Sequence, residues 1–271
     1  MNINNEKDSK LYKYLDVNGG LAMLSNNNIQ FTNATRLNDP FDCHPSLIDF
    51  TNVPEKQARI WGQELVIKSE SNLFERRRNE TWLCSLSKVN NSLLMWSYYG
   101  GHKGVCIGLN MEKTRKYLSN ICCSPFFGAL EFEVQYKEII EKPDFFKHKF
   151  DFDLWKYQLF TKAKEWEHEQ EVRLVLMNPI PAIIPNHSSM VTMALPYEPK
   201  DKTKDVDWRE VRAYRKIGGE CFESVYLGVN IDEDKRIQII KVAKKLNPEI
   251  KIFQMTVDAN AFRLQAELLN C

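Results

Sequence analysis

The sequence has no C-x-x-C pair, no G-x-G-x-x-G run, no apolar stretch long enough to cross a bilayer, and a formal net charge of only +1. Each absence excludes something. The seven cysteines (Cys43, Cys84, Cys106, Cys122, Cys123, Cys221 and Cys271) are odd in number and irregularly spaced. They read as reduced thiols rather than a disulfide framework, and no spacing matches the recurrent zinc patterns. Without the glycine fingerprint, a Rossmann-type dehydrogenase is disfavoured. The opening "MNINNEKDSK" is polar and lacks the apolar centre of a secretory leader. With no transmembrane run either, a cytoplasmic location without a membrane partner is expected. The near-zero charge gives no global field toward nucleic acid and leaves only local basic runs, "ERRRNE" and "KVAKK".

What is present is the composition of an ordinary globule, 43% hydrophobic and 27% charged over 271 residues. Such a length buries a core without staples. Alternating stretches ("LYKYL", "IQFTN", "TWLCSLS", "VCIGLN", "ALEFEVQYKE", "EVRLVLM") predict strands. "GGLAMLSNN", residues 54–80, "NNSLLMWSYY", "MEKTRKYLSN" and residues 150–168 predict helices between them. The tail from "SVYLGVN" reads as strand, helix, strand, with acids at the helix start where the macrodipole favours them. The pattern predicts one α+β domain over 1–271, mixed central β-sheets with flanking helices, and an irregular Pro-rich excursion over 178–215.

Three stretches carry candidate chemistry. In "KEWEHEQEVRLVL", a strand beginning near Glu169 would point Glu169, Glu171 and Arg173 to one face, within reach of solvent. An ordinary surface strand with an Arg–Glu pair has the same pattern. In "CSLSK", Ser85 and Ser87 share a strand face. In "LLMWSYYGGHKG", Trp96, Tyr98, Tyr99 and His102 sit beside Gly100, Gly101 and Gly104. Aromatic walls next to close backbone approach suit a flat ligand, although Met95 and Trp96 could equally be core. The turn "RLNDPFD" places Asn38 and Asp39 ahead of Pro40. Asp39, Asp42 and His44, with the late glutamates, form an alternative set for Mg²⁺ in a metal-dependent nuclease or hydrolase.

Taken in order, "LYKYL…IQF…RLNDPFD", "CSLSK…LLMWSYYGGHKGVCIGL", "WEHEQEVRL" and "VYLGVNI" resemble a widespread bacterial family described as a domain of unknown function. Its pattern is N-D-P-F-E, M-W-x-x-Y followed by H-x-G, and W-x-x-E-x-E-x-R. Asp42 stands where that family usually carries Glu. The resemblance runs over nearly the whole chain and names no reaction.

The order of elements is also similar to the ADP-ribosyltransferase fold. That fold has a first strand with a polar NAD contact, a middle strand with an S-x-S motif, and a late strand headed by E-x-E or Q-x-E. The resemblance implies NAD as substrate, no metal, and Glu171 as the carboxylate facing the oxocarbenium-like ribose, with Glu169 orienting the acceptor as general base. Arg173 would hold a carboxylate or phosphate. Ser85 would anchor the ribose, with Ser87 beside it. Trp96, Tyr98 or Tyr99 would stack on a ring. Asn38, Asp39 and His102 would shape the rim. The first strand departs from the pattern: it has neither the usual His nor Arg, which leaves Lys13 or Tyr14 for the NAD contact. Terse members of this fold act as toxins in toxin–antitoxin or phage-defence systems, so a nucleic acid (RNA or single-stranded DNA) or protein acceptor and an antitoxin partner are expected. A non-catalytic nucleotide-binding or partner-docking module remains the alternative.

Overall fold

A computed structural model describes residues 9–119, 130–148, 152–177 and 212–270. Along the chain, β1 (Lys10–Leu15), α1 (Val17–Asn26) and β2 (Asn28–Asn33) lead to α2 (Glu55–Trp61) and α3 (Gln63–Asn79). Then come β3 (Thr81–Ser87), α4 (Leu93–Tyr98), β4 (Val105–Asn110), α5 (Met111–Ser119), β5 (Leu130–Glu133) and β6 (Gln135–Lys137). The remainder is α6 (Phe152–Phe160), β7 (Thr161–Ala163), β8 (Glu171–Met177), β9 (Arg212–Lys216), β10 (Phe222–Leu227), α7 (Glu233–Leu246), β11 (Lys251–Val257) and β12 (Leu264–Leu268). The class is α+β, as the pattern implies.

Local chemistry explains the first elements. Asp16 caps α1 by accepting from the Gly19 amide at 2.6 Å, and Asn27 closes the helix in the left-handed conformation (φ 49°), which Asn tolerates better than most residues. β4 is buried over its first five residues, the mark of a central strand. Among the described residues ten strands join in one sheet, ordered β12-β11-β10-β4-β1-β3-β2-β9, with β8 on the other side of β3 and β5 beyond β8. On one face, Leu11, Ile107, Leu109, Val172, Leu174, Val225 and Ile252 pack with Leu24, Ile239 and Ala243 from α1 and α7. Each such side chain contributes about 1.5–3 kcal/mol on burial. The other face carries two separate clusters. One holds Tyr14, Met95, Trp96, Cys106 and Tyr226; the other holds Leu83, Trp155, Leu159, Phe160 and Val175.

The sheet splits between them. β1 pairs with β4 over six residues but meets β3 only at Tyr12–Ser87. β3 turns its opposite edge to β8 along its whole length, from Thr81–Met177 to Ser87–Glu171. A seam therefore opens on the second face, between the ends of β1 and β3.

Several expectations are corrected. The helix expected over 54–80 is two helices, because Gly62 (φ 78°) breaks it. The helix expected over 150–168 stops at Phe160. Three residues of strand follow, then a 3-10 segment, Lys164–Glu169. "ALEFEVQYKE" divides at Val134 into β5 and β6, which belong to different sheets. The excursion expected over 178–215 lies outside the described residues up to 211; Arg212–Lys216 is a strand paired with β2. Among the described residues the cysteines Cys43, Cys84, Cys106 and Cys221 are free and buried, and no helix is long and apolar enough to cross a membrane.

Candidate active site

The acids of "EWEHEQEVR" do not lie on one strand. β8 begins at Glu171; Gln170 is left-handed (φ 42°), and Glu169 ends the 3-10 segment before it. Nor do they reach solvent: Glu169, Glu171 and Arg173 are 4%, 3% and 1% exposed. The two carboxylates are brought back together by Lys162, on the three-residue strand β7. Its Nζ lies 2.5 Å from Glu169 Oε2 and 3.3 Å from Glu171 Oε2. The same ammonium stands 4.7 Å from the centre of the Trp166 ring, a favourable cation–π placement.

Arg173 anchors the other side. Its Nε donates to Glu171 Oε1 at 2.8 Å, and Nη2 to Glu171 Oε2 at 3.1 Å. Nη1 and Nη2 grip Asp42 bidentately at 2.7 and 2.6 Å, and Nη1 also donates to the Leu159 carbonyl at 2.6 Å. All five guanidinium donors are thereby used. An arginine committed in this way has none left for a substrate carboxylate or phosphate, which corrects that expected role. Its planar fork instead ties β8 to the turn of Asp42, 131 residues earlier.

The chain of charges Asp42–Arg173–Glu171–Lys162–Glu169 separates the two glutamates electrostatically. Burial alone would raise the Glu171 carboxyl, but the neighbouring Arg173 and Lys162 charges, with the Ser85 hydroxyl, hold it well below the usual carboxylate range. At Glu169 burial prevails: with the Glu171 charge adding to it, the pKa goes up despite Lys162. Two carboxyls pushed in opposite directions is a pattern of acid–base sites. Lys162, although buried, stays charged because both carboxylates outweigh its desolvation.

At the seam between β1 and β3 lies a narrow crevice lined by Lys13, Tyr14, Ser85, Ser87, Tyr99 and the two glutamates, among others. It encloses about 20 Å³, room for about one water molecule. Lys13 Nζ bridges the seam to the Ser85 carbonyl at 2.8 Å, and the Tyr14 hydroxyl donates to the Val89 carbonyl at 3.0 Å. Ser87 Oγ donates to the Glu169 carbonyl at 2.7 Å and accepts from the Val89 amide at 3.2 Å. Tyr99, whose hydroxyl pKa burial and the two acids push up to about 12, forms one wall.

The other expected residues lie apart from this crevice. Trp96 is core: it is 1% exposed, its Nε1 donates to the Asn90 carbonyl, and its ring packs edge-on against Tyr14. It has no open ring face for a ligand, which corrects the expected stacking. Tyr98 is exposed and leans on Trp166 and His168. His102 lines a different hollow. Asn38 is exposed, and Asp39 caps its own turn by accepting from the Phe41 amide at 2.9 Å. Asp42 goes to Arg173 and the His44 ring to Ser46, so the trio does not converge. Among the described residues no group of three or more His, Cys, Asp or Glu is placed to hold a metal ion.

Lys162 and Tyr136 were not legible as site residues, and Asp42 was legible only as a metal ligand or motif position, not as the partner of Arg173. The Tyr136 hydroxyl accepts from the Glu171 amide at 2.8 Å and fixes where β8 starts. A signal was Lys162 itself, a lysine two residues after "LWKYQLF" in a largely apolar run.

A family model described as a protein of unknown function (DUF2971) matches residues 95–174, the span that supplies every charged group of the buried chain except Asp42. No curated protein and no solved structure matches the sequence.

Proposed function

We propose that the chain is an ADP-ribosyltransferase that uses NAD as its donor. The observation that supports this is the convergence, in one seam of the sheet, of Lys13, Ser85, Ser87, Tyr99, Glu169 and Glu171 from four distant segments. In this reading the bond between nicotinamide and the ribose C1′ breaks, and nicotinamide leaves as the neutral base. Glu171, whose pKa Arg173 and Lys162 hold down, stabilises the cationic ribose left behind. The acceptor nucleophile then bonds to C1′, and Glu169, whose pKa burial raises, takes its proton. Ser85 and Lys13 hold the ribose and the adjoining phosphates. The acceptor is a nucleic acid or a protein, and a toxin or phage-defence role in the cytoplasm, with an antitoxin to restrain it, is consistent with such an activity.

The full hydrogen-bonding of Arg173 and the small volume of the crevice favour a second reading, a nucleotide-binding or partner-docking module with a structural ion network. One experiment separates the two. NAD labelled on its adenylate phosphate is incubated with the protein and separate pools of RNA, single-stranded DNA and cell protein. Label entering one pool with the wild type, and not with Glu171→Gln, supports the transferase and names the acceptor class. Label remaining in NAD in every pool favours the module.

A further inference from the structure

A hollow of ligand size lies apart from the crevice. About 580 Å³ lies between the glycine turn after α4, the loop after β10 and the β11–β12 hairpin, within the ~300–1,000 Å³ typical of small-molecule sites. Its walls are rigidly built. The Asn230 amide donates to the His102 carbonyl at 2.9 Å, and the Gly228 amide to the Gly104 carbonyl at 2.9 Å. A Cβ on Gly228 would stand 2.3 Å from the His102 carbonyl oxygen, so only glycine permits this approach. In the hairpin, Asp258 accepts from the Asn260 amide at 2.8 Å and from Arg263 Nε at 2.6 Å. That knot holds the loop while the Phe262 ring projects wholly into solvent.

The lining has a definite chemistry. Val229, Val257 and Leu264 give an apolar floor. The His102 ring and the side-chain amides of Asn230 and Asn260 have no hydrogen-bond partner among the described residues. Flat apolar contact, an exposed aromatic face and amides that both donate and accept match a nucleobase: Asn pairs bidentately with adenine edges, and Phe stacks on any base. Arg263 spends only its Nε on Asp258, which leaves the ends of its guanidinium for a phosphate.

The hollow also has a fixed relation to the crevice. α4 serves both, with Leu93 lining the hollow and Met95 the crevice. Leu264 of the hollow packs in one cluster with Tyr14 and Met95 of the crevice. The two openings therefore flank the same cluster on the same face of the sheet.

We infer that this hollow is a nucleobase-binding site. The base has two possible sources, the adenine end of a dinucleotide donor or a base of a single-stranded nucleic-acid acceptor. The choice of these two rests on the transferase reading, whereas the chemistry of the hollow does not.

The test titrates the full chain, by calorimetry, with ADP-ribose and separately with a single-stranded tetranucleotide of mixed sequence. Both are repeated with Asn230→Ala and with Phe262→Ala, two exposed positions whose loss leaves the core intact. The expected result is that at least one probe binds the wild type and that each variant weakens it by about tenfold. Weakening for ADP-ribose assigns the donor's adenine; weakening for the tetranucleotide alone assigns the acceptor. If neither probe binds, or both bind equally well to the variants, the inference is overturned. A parallel Glu171→Gln titration separates the two proposals. Hollow-dependent binding retained there, in a chain that transfers no label even as wild type, leaves the nucleobase site standing and removes the transferase.

Discussion

Lys162 and Glu171 share a hydrogen bond of 3.3 Å in the interior, with Glu169 on the far side of the same ammonium at 2.5 Å. A lysine between two buried carboxylates is held there by charge. Lys162→Met removes the cation and leaves both acids in low dielectric with one fewer partner. Breaking a buried pair from one side costs about 3–5 kcal/mol, so urea unfolding should show a loss of that order. A loss under about 1 kcal/mol would mean that the acids are hydrated.

The opposed shifts of the glutamates give stability a particular pH dependence. Glu171 is depressed on folding, so its contribution is present above the unfolded carboxylate value of about 4.3 and is lost as pH falls through the folded value. Glu169 is raised, so its contribution is present below about 4.3 and is lost as pH rises through the folded value. From these two groups, stability peaks near the unfolded value. Unfolding free energies measured across acid and neutral pH should show the acid-side fall reduced in Glu171→Gln and the neutral-side fall reduced in Glu169→Gln. Identical profiles in both variants would contradict the opposed shifts.

If Glu171 faces a developing cation, its amide replacement removes a charge used only in the transition state. Glu171→Gln should then lower the rate of label transfer by about 10²–10³-fold. NAD binding should change far less, and circular dichroism would confirm that the fold survives. An equal fall in binding and rate would instead place Glu171 in ground-state recognition.

Gly104 tests the seam from the other side. A Cβ there would lie 2.4 Å from the Leu15 carbonyl oxygen and 2.5 Å from that of Tyr99. Gly104→Ala forces those backbones apart and should cost about 1–3 kcal/mol. Gly101, by contrast, is left-handed (φ 56°), but its Cβ would meet nothing within 4 Å. Gly101→Ala should therefore carry only the backbone penalty, and melting temperatures of the pair would rank the two effects.

Much of the fold is legible because its strands alternate. Leu11, Ile107 and Val225 fall on the core face with Tyr12, Cys106 and Tyr226 on the other, and Asn27 marks the end of α1. The failures have local physical causes. Gly62 breaks one amphipathic pattern into two helices. Across α6 and the segment after it, Trp155, Leu159, Ala163 and Trp166 keep a helical spacing, yet Thr161–Ala163 pairs with β6. There a partner strand from elsewhere in the chain overrides periodicity.

By itself, the sequence determined the α+β class, the acidic E-x-E stretch, the paired serines and the aromatic–glycine turn, because each is a local pattern of residue types. Only the tertiary structure decided which of these meet. The seam between β1 and β3 collects Lys13, Ser85, Ser87 and Tyr99 around the glutamates, while Trp96 goes to the core and His102 to the second hollow. It also decided that Arg173 is spent on Asp42 and that Lys162 holds the two acids. Those partners are set by strand pairing and burial across long separations, where unpaired charge is too costly to leave uncompensated. No local pattern carries that information.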